Sequence, residues 1–102
     1  MNTVYLLSHI KLYENNMNIE FKGSPFLGDT TEINFVATVD GKSITCIVTF
    51  EALEDINPDA KSDDGMLQYI NNEEKIKAIA EKKIRNGQVS SNKVVIYSAD
   101  VI

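Results

Sequence analysis

The sequence predicts an α+β fold, a two-layer sandwich in which an antiparallel β-sheet of three to five strands packs against one long helix. Two observations lead to this prediction. A hairpin occupies residues 32–50, and a helical stretch with an apolar stripe occupies about residues 64–86. With 102 residues, of which 43% are hydrophobic, the chain is long enough to bury one small core.

The central hairpin is the best-defined element of the sequence. Residues 33–39 and 42–50 are rich in β-branched and aromatic side chains, which favour strands. The Asp40-Gly41 dipeptide between them suits a two-residue type I′ turn, which fixes the register and makes one face of the hairpin apolar. The expected pairs are Val39 with Lys42, Ala37 with Ile44, Phe35 with Cys46, and Ile33 with Val48.

The opposite face of the hairpin is mixed in character. Val36 and Ile47 alternate there with polar residues such as Asn34 and Thr45. Exposed apolar groups and unpaired strand edges are common interaction surfaces. We therefore expect this face, or an exposed sheet edge, to contact a protein partner or a second copy of the chain.

Before the hairpin, the pattern predicts one further strand and two turns. Residues 18–22 alternate between polar and apolar side chains, as a short strand does. Residues 23–25 and 28–30 have the composition of turns. The intervening Phe26 and Leu27 are expected to plug the core.

After the hairpin, residues 51–55 predict a short helix and residues 64–86 a long one. Gly87 provides a C-cap for the long helix. A break at Asn71-Asn72 is the alternative to one continuous helix, because Asn71 and Glu74 resemble a capping box. The apolar stripe of the helix consists of Ile76, Ile79, Ala80 and Ile84, extended backwards by Met66, Tyr69 and Ile70.

The last strand is predicted at residues 93–97. Its apolar residues are continuous rather than alternating. This pattern favours burial on both faces or a position inside the sheet.

The chain divides into an N-terminal extension or arm, residues 1–16, and a single α+β domain, residues 17–102. Met17 is either an internal residue after a short arm or a start of translation. The apolar run at residues 4–7 is too short for a signal-peptide core or a membrane span. Because there is one cysteine and no secretion signal, we expect a cytoplasmic protein that does not enter membranes.

The titratable residues form no catalytic constellation, so we expect a protein without catalytic residues. The only histidine, His9, lies in the predicted arm. Cys46 is expected on the core face, where a cysteine acts as a small hydrophobe rather than as part of a Cys–His dyad. Ser98 and Asp100 have no nearby histidine with which to form a triad.

No metal or cofactor motif is present, so we expect neither a metal nor a cofactor. The acidic loop at residues 59–65 fails the EF-hand pattern, because Lys61 takes the third ligand position and Asp64 the glycine position. Ser62 or Asp63 is instead expected to cap the following helix.

A basic cluster on the long helix suggests an alternative function, which is association with nucleic acid. Residues 71–86 have a net charge of +2 because five cations outnumber three glutamates, whereas the whole chain carries −5. The acidic chain and the lack of aromatic residues among the lysines disfavour this alternative and favour a solvated helix face. The candidate contacts are Lys75, Lys82, Lys83 and Arg85.

From Met17 onward the sequence resembles domain-of-unknown-function family 1488 (DUF1488), the YrdB-like small bacterial proteins. The matching segments are residues 19–21, 35–41, 44–46, 51–55, 72–84 and 98–100. The resemblance implies a shared fold and a bacterial source, and it transfers no catalytic residue. The leading hypothesis, a non-enzymatic protein-binding or regulatory module, follows instead from the short chain and from titratable groups that form no constellation.

Overall fold

The structure, a computed structural model, describes residues 17–60 and 63–102, so the predicted arm at residues 1–16 lies outside the described residues. The described strands form one four-stranded sheet in the order β1-β2-β3-β4. Together with the helices, this confirms the predicted α+β fold. The elements in chain order are β1 (Ile19–Leu27), β2 (Ile33–Val39), β3 (Lys42–Val48), α1 (Phe50–Asp55), a 3₁₀ turn (Pro58–Ala60), α2 (Gly65–Asn71), α3 (Glu73–Arg85), β4 (Lys93–Ile96) and α4 (Ser98–Val101).

The central hairpin has the predicted register. Strands β2 and β3 pair antiparallel from Ile33 opposite Val48 to Val39 opposite Lys42. Asp40 and Gly41 both have positive φ, 51° and 85°, as a type I′ turn requires. Local turn chemistry and the apolar alternation therefore agree, and the register is confirmed.

Strand β1 is longer than predicted and contains an irregularity. Lys22 lies opposite Val36, and Phe26 lies opposite Asn34. Three residues of β1, 23–25, therefore stand opposite the single residue Phe35 of β2. The predicted turn at residues 23–25 is thus a bulge within the strand. The prediction that Phe26 and Leu27 plug the core is wrong, since the two are 46% and 68% exposed.

The loop between β1 and β2 is organised around the Glu32 carboxylate. It accepts hydrogen bonds from the Thr30 hydroxyl at 2.6 Å and from the backbone N–H groups of Asp29 and Thr30 at 3.0 and 3.1 Å. The Thr30 hydroxyl and these N–H groups lower the pKa of Glu32 to about 2. The ionised carboxylate thereby holds the end of β1 against the start of β2.

Strand β4 corrects two expectations about the sheet. It pairs parallel to β3, from Thr45 opposite Lys93 to Val48 opposite Ile96, so the sheet is mostly rather than wholly antiparallel. It also stands at one end of the described strand order rather than inside it. The parallel direction has a physical reason. The long helical connection after β3 carries the chain back to the side where β3 starts, so β4 runs in the same direction as β3.

The predicted long helix is two helices. Asn72 has φ −126° and ψ 21°, which ends α2 and precedes the first turn of α3. Its side-chain Nδ2 donates to the Gln68 carbonyl at 2.9 Å, so it competes with the regular helical pattern. The alternative with a break at residues 71–72 is therefore correct, although without the capping bond predicted for Asn71. The break also leaves Ile70, a predicted member of the stripe, 55% exposed.

One hydrophobic core lies between the helices and one face of the sheet. The six apolar hairpin residues predicted to face the core are all buried there; they are Ile33, Phe35, Ala37, Ile44, Cys46 and Val48. The buried apolar side chains of α1, α2 and α3 belong to the same cluster, so these helices cover this single face. The helical members of the cluster are Ala52, Leu53, Tyr69, Ile76, Ala80 and Ile84.

Candidate functional site

The face of the sheet opposite the core is not covered by any of the described helices, and we call it the open face. Its membership follows from the register, because paired residues on neighbouring strands point to the same side. It consists of three rows across the sheet. These rows are Glu20, Thr38 and Ser43; Lys22, Val36, Thr45 and Lys93; and Phe26, Asn34, Ile47 and Val95.

The third row is mainly apolar and crosses all four strands. Phe26 is opposite Asn34, Asn34 is opposite Ile47, and Ile47 is opposite Val95. Adjacent strands are about 4.8 Å apart, so the row extends roughly 15 Å across the sheet. Ile47 and Val95 are half-buried and Phe26 is exposed, which leaves apolar surface available for contact.

One polar atom interrupts this row. The Oδ1 atom of Asn34 is buried and has no hydrogen-bond partner among the described residues. A buried acceptor without a donor costs about 1–3 kcal/mol. An apolar residue would avoid this cost, so Asn34 is not explained by the stability of the sheet.

The open face carries few charges, and two of its cations lie on opposite edge strands. Lys22 is on β1 and Lys93 is on β4. Glu20 lies beside Lys22, with an Nζ–Oε1 distance of 3.6 Å, and both side chains are more than half exposed. The face is therefore locally cationic on an acidic chain.

A second polar cluster lies in a cleft of about 420 Å³ between α3 and α4. Lys83 Nζ bonds to Asp100 Oδ2 at 2.6 Å, and the Tyr97 N–H donates to the same oxygen at 2.8 Å. Burial opposes ionisation of Asp100, but the bonds from Lys83 and Tyr97 outweigh it and hold the pKa of Asp100 below its usual value. Residues 98–100 therefore start a short helix and anchor it to α3.

The four predicted nucleic-acid contacts do not form one free basic cluster. Lys83 is paired with Asp100 and only 11% of its side chain is exposed. Arg85 bonds to Glu81 at 2.9 Å and to the Met17 carbonyl at 3.1 Å. Lys75 and Lys82 are exposed. Nucleic-acid binding stays a sequence-based prediction, and the geometry adds no observation in its favour.

Cys46 is buried in the core opposite Phe35, as predicted. Burial raises the pKa of its thiol to about 12. His9, the other member of the hypothetical dyad, lies outside the described residues. Cys46 is thus a packing residue, and the neutral thiol is a poor nucleophile at physiological pH.

We expect the Cys46 thiol to be unreactive in the folded protein. At pH 8, a disulfide reagent such as 5,5′-dithiobis(2-nitrobenzoate) should label less than a tenth of the chains within an hour. In guanidinium chloride it should label one thiol per chain within minutes, because unfolding restores access and the ordinary pKa. Labelling of the native protein as fast as that of the unfolded chain would contradict this prediction.

The acidic loop before α2 serves as a helix start. Asp64 accepts from the N–H groups of Met66 and Leu67 at 3.0 and 3.2 Å, so it is the N-cap that was predicted at Ser62 or Asp63. Ser62 lies outside the described residues.

Across residues 17–60 and 63–102, no three acidic, histidine or cysteine side chains come together as metal ligands. None of the described helices has the length and apolar character needed to cross a membrane.

Sequence reasoning located part of the open face and missed the rest. It placed Val36 and Ile47 on the mixed face of the hairpin, together with Asn34 and Thr45. It missed Phe26, because the bulge at residues 23–25 has the composition of a turn. It missed Val95 and Lys93 because no local signal states which strand β4 joins.

The fold and its open face define a small α+β sandwich with a mostly antiparallel sheet, one side of which is left uncovered by the described helices. The family model described as "Protein of unknown function (DUF1488)" matches residues 13–95, and the chain belongs to that family. The resemblance noted in the sequence is thereby confirmed.

One solved structure supports the same fold. It is the crystal structure of a protein of unknown function from the DUF1488 family of Shewanella loihica PV-4, with a TM-score of 0.68 and 20% sequence identity. The similarity covers 79% of this chain and 93% of that chain. No curated protein sequence matches this chain.

Proposed function

We propose that this protein is a non-enzymatic module that binds a protein partner through the open face. The observation that carries the proposal is the row of Phe26, Asn34, Ile47 and Val95, which presents apolar side chains on a sheet face that none of the described helices covers. Exposed apolar surface of this kind is typical of interaction sites. The helices α1, α2 and α3 contribute their buried apolar side chains to the core on the opposite side of the sheet.

The charges of the open face specify the chemistry of the partner. Lys22 and Lys93 flank the apolar centre on opposite edge strands. A complementary segment has apolar residues in its middle and carboxylates at both ends.

Replacing Asn34 by valine tests whether the buried Asn34 amide contributes to the stability of the sheet. Valine suits a strand and removes the unpaired acceptor, so Asn34→Val is expected to raise the free energy of unfolding by about 1 kcal/mol. Urea denaturation measures this change. A variant that is less stable than the wild type would show that the amide has a structural role.

The partner is found with a photo-crosslinking amino acid at Thr45, in the middle of the open face, and at Gln88 as the exposed control. Crosslinking in extract of the native host, followed by mass spectrometry, is expected to identify one protein at Thr45 that is absent at Gln88. The crosslinked peptide is expected to be apolar with flanking acidic residues. Equal crosslinking at both positions, or none at Thr45, contradicts the proposal.

Binding of the purified partner then tests the surface directly. Ile47→Glu places a charge in the apolar row and is expected to weaken binding at least tenfold, whereas Leu67→Glu makes the same change at an exposed apolar residue of α2 and should have no effect. Lys93→Glu, which alters an exposed side chain only, should also weaken binding. Isothermal titration calorimetry gives the affinities. Unchanged affinity in both open-face variants would overturn the proposal.

A further inference from the structure

We propose that the outer edge of β1 pairs antiparallel with the same edge of a second copy of this chain. The two sheets then form one continuous sheet related by a two-fold axis at Phe21. This inference concerns the edge of the sheet and a second copy of the chain, although the side chains of Glu20 and Lys22 also lie on the open face.

The direction of the backbone groups of β1 follows from one hydrogen bond. The Asp40 N–H donates to the Asn18 carbonyl at 2.9 Å, so the backbone groups of Asn18 face β2. Because these groups alternate along a strand, Glu20 and Lys22 also face β2, whereas Ile19 and Phe21 direct their N–H and C=O groups away from the sheet. Within the described residues, the strand order ends at β1, and these groups have no strand beside them.

The other end of the sheet is largely closed to such pairing. On the outer side of β4, Lys93 exchanges two backbone hydrogen bonds with Ser90, at 2.9 and 3.0 Å. At the end of β4, the Tyr97 N–H donates to the Asp100 carboxylate, and the Tyr97 carbonyl accepts from the Asp100 N–H. Only the backbone of Val95 is left between these two closures among the described residues. Strand addition is therefore directed to β1.

Charge selects the register of the pairing. With the axis at Phe21, Glu20 lies opposite the partner's Lys22, and Lys22 lies opposite the partner's Glu20. A shift of the axis by one residue in either direction places Glu20 opposite the partner's Glu20, or Lys22 opposite the partner's Lys22. Like charges directly opposite each other destabilise an antiparallel pair and opposite charges stabilise it.

The neighbouring structure also limits the length of the pairing. Toward the N-terminus, the Met17 carbonyl is occupied by Arg85 Nη1 at 3.1 Å. Toward the C-terminus, the bulge begins at Gly23, with φ 76°, and Pro25 has no N–H to donate. The usable edge is thus residues 19–22, and in the register about Phe21 only residues 20–22 find partners within it, which is short for a stable interface. The dimer is expected to form reversibly and only at high protein concentration.

Charge reversal at the two exposed residues tests the register. Glu20→Lys sets two lysines opposite each other across the interface, and Lys22→Glu sets two glutamates opposite each other, so each single variant should stay monomeric. Both side chains are more than half exposed, so the fold should be unaffected. An equimolar mixture of the two variants restores opposite charges and should form a heterodimer. The double variant E20K/K22E should dimerise like the wild type.

The measurement is sedimentation equilibrium of the full chain over about 10 µM to 1 mM at low salt, with Lys42→Glu, at the hairpin turn, as the matched control. The wild type, the control and the double variant are expected to associate, whereas the single variants should do so at least tenfold more weakly. A wild type that is monomeric at 1 mM, or single variants that associate as well as the wild type, would overturn the inference. Neither result affects the crosslinking test of the open face.

Discussion

Replacing Phe35 by alanine is expected to lower the free energy of unfolding by about 3–5 kcal/mol, the largest effect of any substitution considered for this protein. Phe35 is 3% exposed on the core face of β2. Its ring lies 5.9 Å from that of Phe21 and 5.2 Å from that of Tyr69, so it joins strand β1 to helix α2. Alanine would remove these contacts and leave a cavity that the close-packed core cannot fill.

Urea denaturation followed by circular dichroism measures this loss. The stability of a small domain is about 5–15 kcal/mol, so Phe35→Ala removes a large share of it. Phe35→Leu keeps most of the apolar volume and serves as the conservative control, with a smaller expected loss of about 1–2 kcal/mol. A loss below about 1 kcal/mol for the alanine variant would show that the three rings do not form the centre of the core.

Removal of the Asp100 carboxylate has the second-largest expected effect. Asp100→Asn is expected to destabilise the protein at pH 7 by about 2 kcal/mol, because it leaves the ammonium group of Lys83 partly buried without its counter-charge. The side chain of Lys83 is 11% exposed and that of Asp100 is 25% exposed. Solvent therefore screens this pair much less than a surface pair.

The contribution of this pair depends on pH in a predictable direction. The pKa of Asp100 is lower in the folded protein than its usual value of 3.8. The stabilisation is therefore fully present above pH 3.8 and is lost as the pH falls through the lower folded-state pKa. The difference in stability between wild type and Asp100→Asn should be large at pH 7 and should shrink as the pH falls below 3.8.

Denaturation of both proteins at pH 7 and at pH 3 measures this difference. Glu73→Gln is the matched control, because Glu73 pairs with Lys77 at 2.9 Å with both side chains about a third exposed. That change should destabilise the protein by less than about 0.5 kcal/mol. If the effect of Asp100→Asn were equally small at pH 7, the attachment of α4 to α3 would not depend on the ion pair.

The sequence alone determined the features that depend on neighbouring residues. The register of β2 and β3 followed from the Asp40-Gly41 turn and the period-two alternation, and both signals act over a few residues. The burial of Cys46 and the mixed face with Val36 and Ile47 followed from the same register. The break between α2 and α3 was identified as an alternative, because asparagine competes locally with helical hydrogen bonding.

Only the tertiary structure decided which distant segments meet. The parallel position of β4, the bulge that sets Phe26 opposite Asn34 and the pairing of Lys83 with Asp100 all depend on contacts with residues remote in the sequence or on an adjacent strand. No local pattern specifies which distant segment a strand or side chain contacts, because strands with the same alternation can pair in several orders. The sequence of the hairpin therefore predicts the part of the open face on β2 and β3. The parts on the edge strands β1 and β4 depend on the packing of the whole domain.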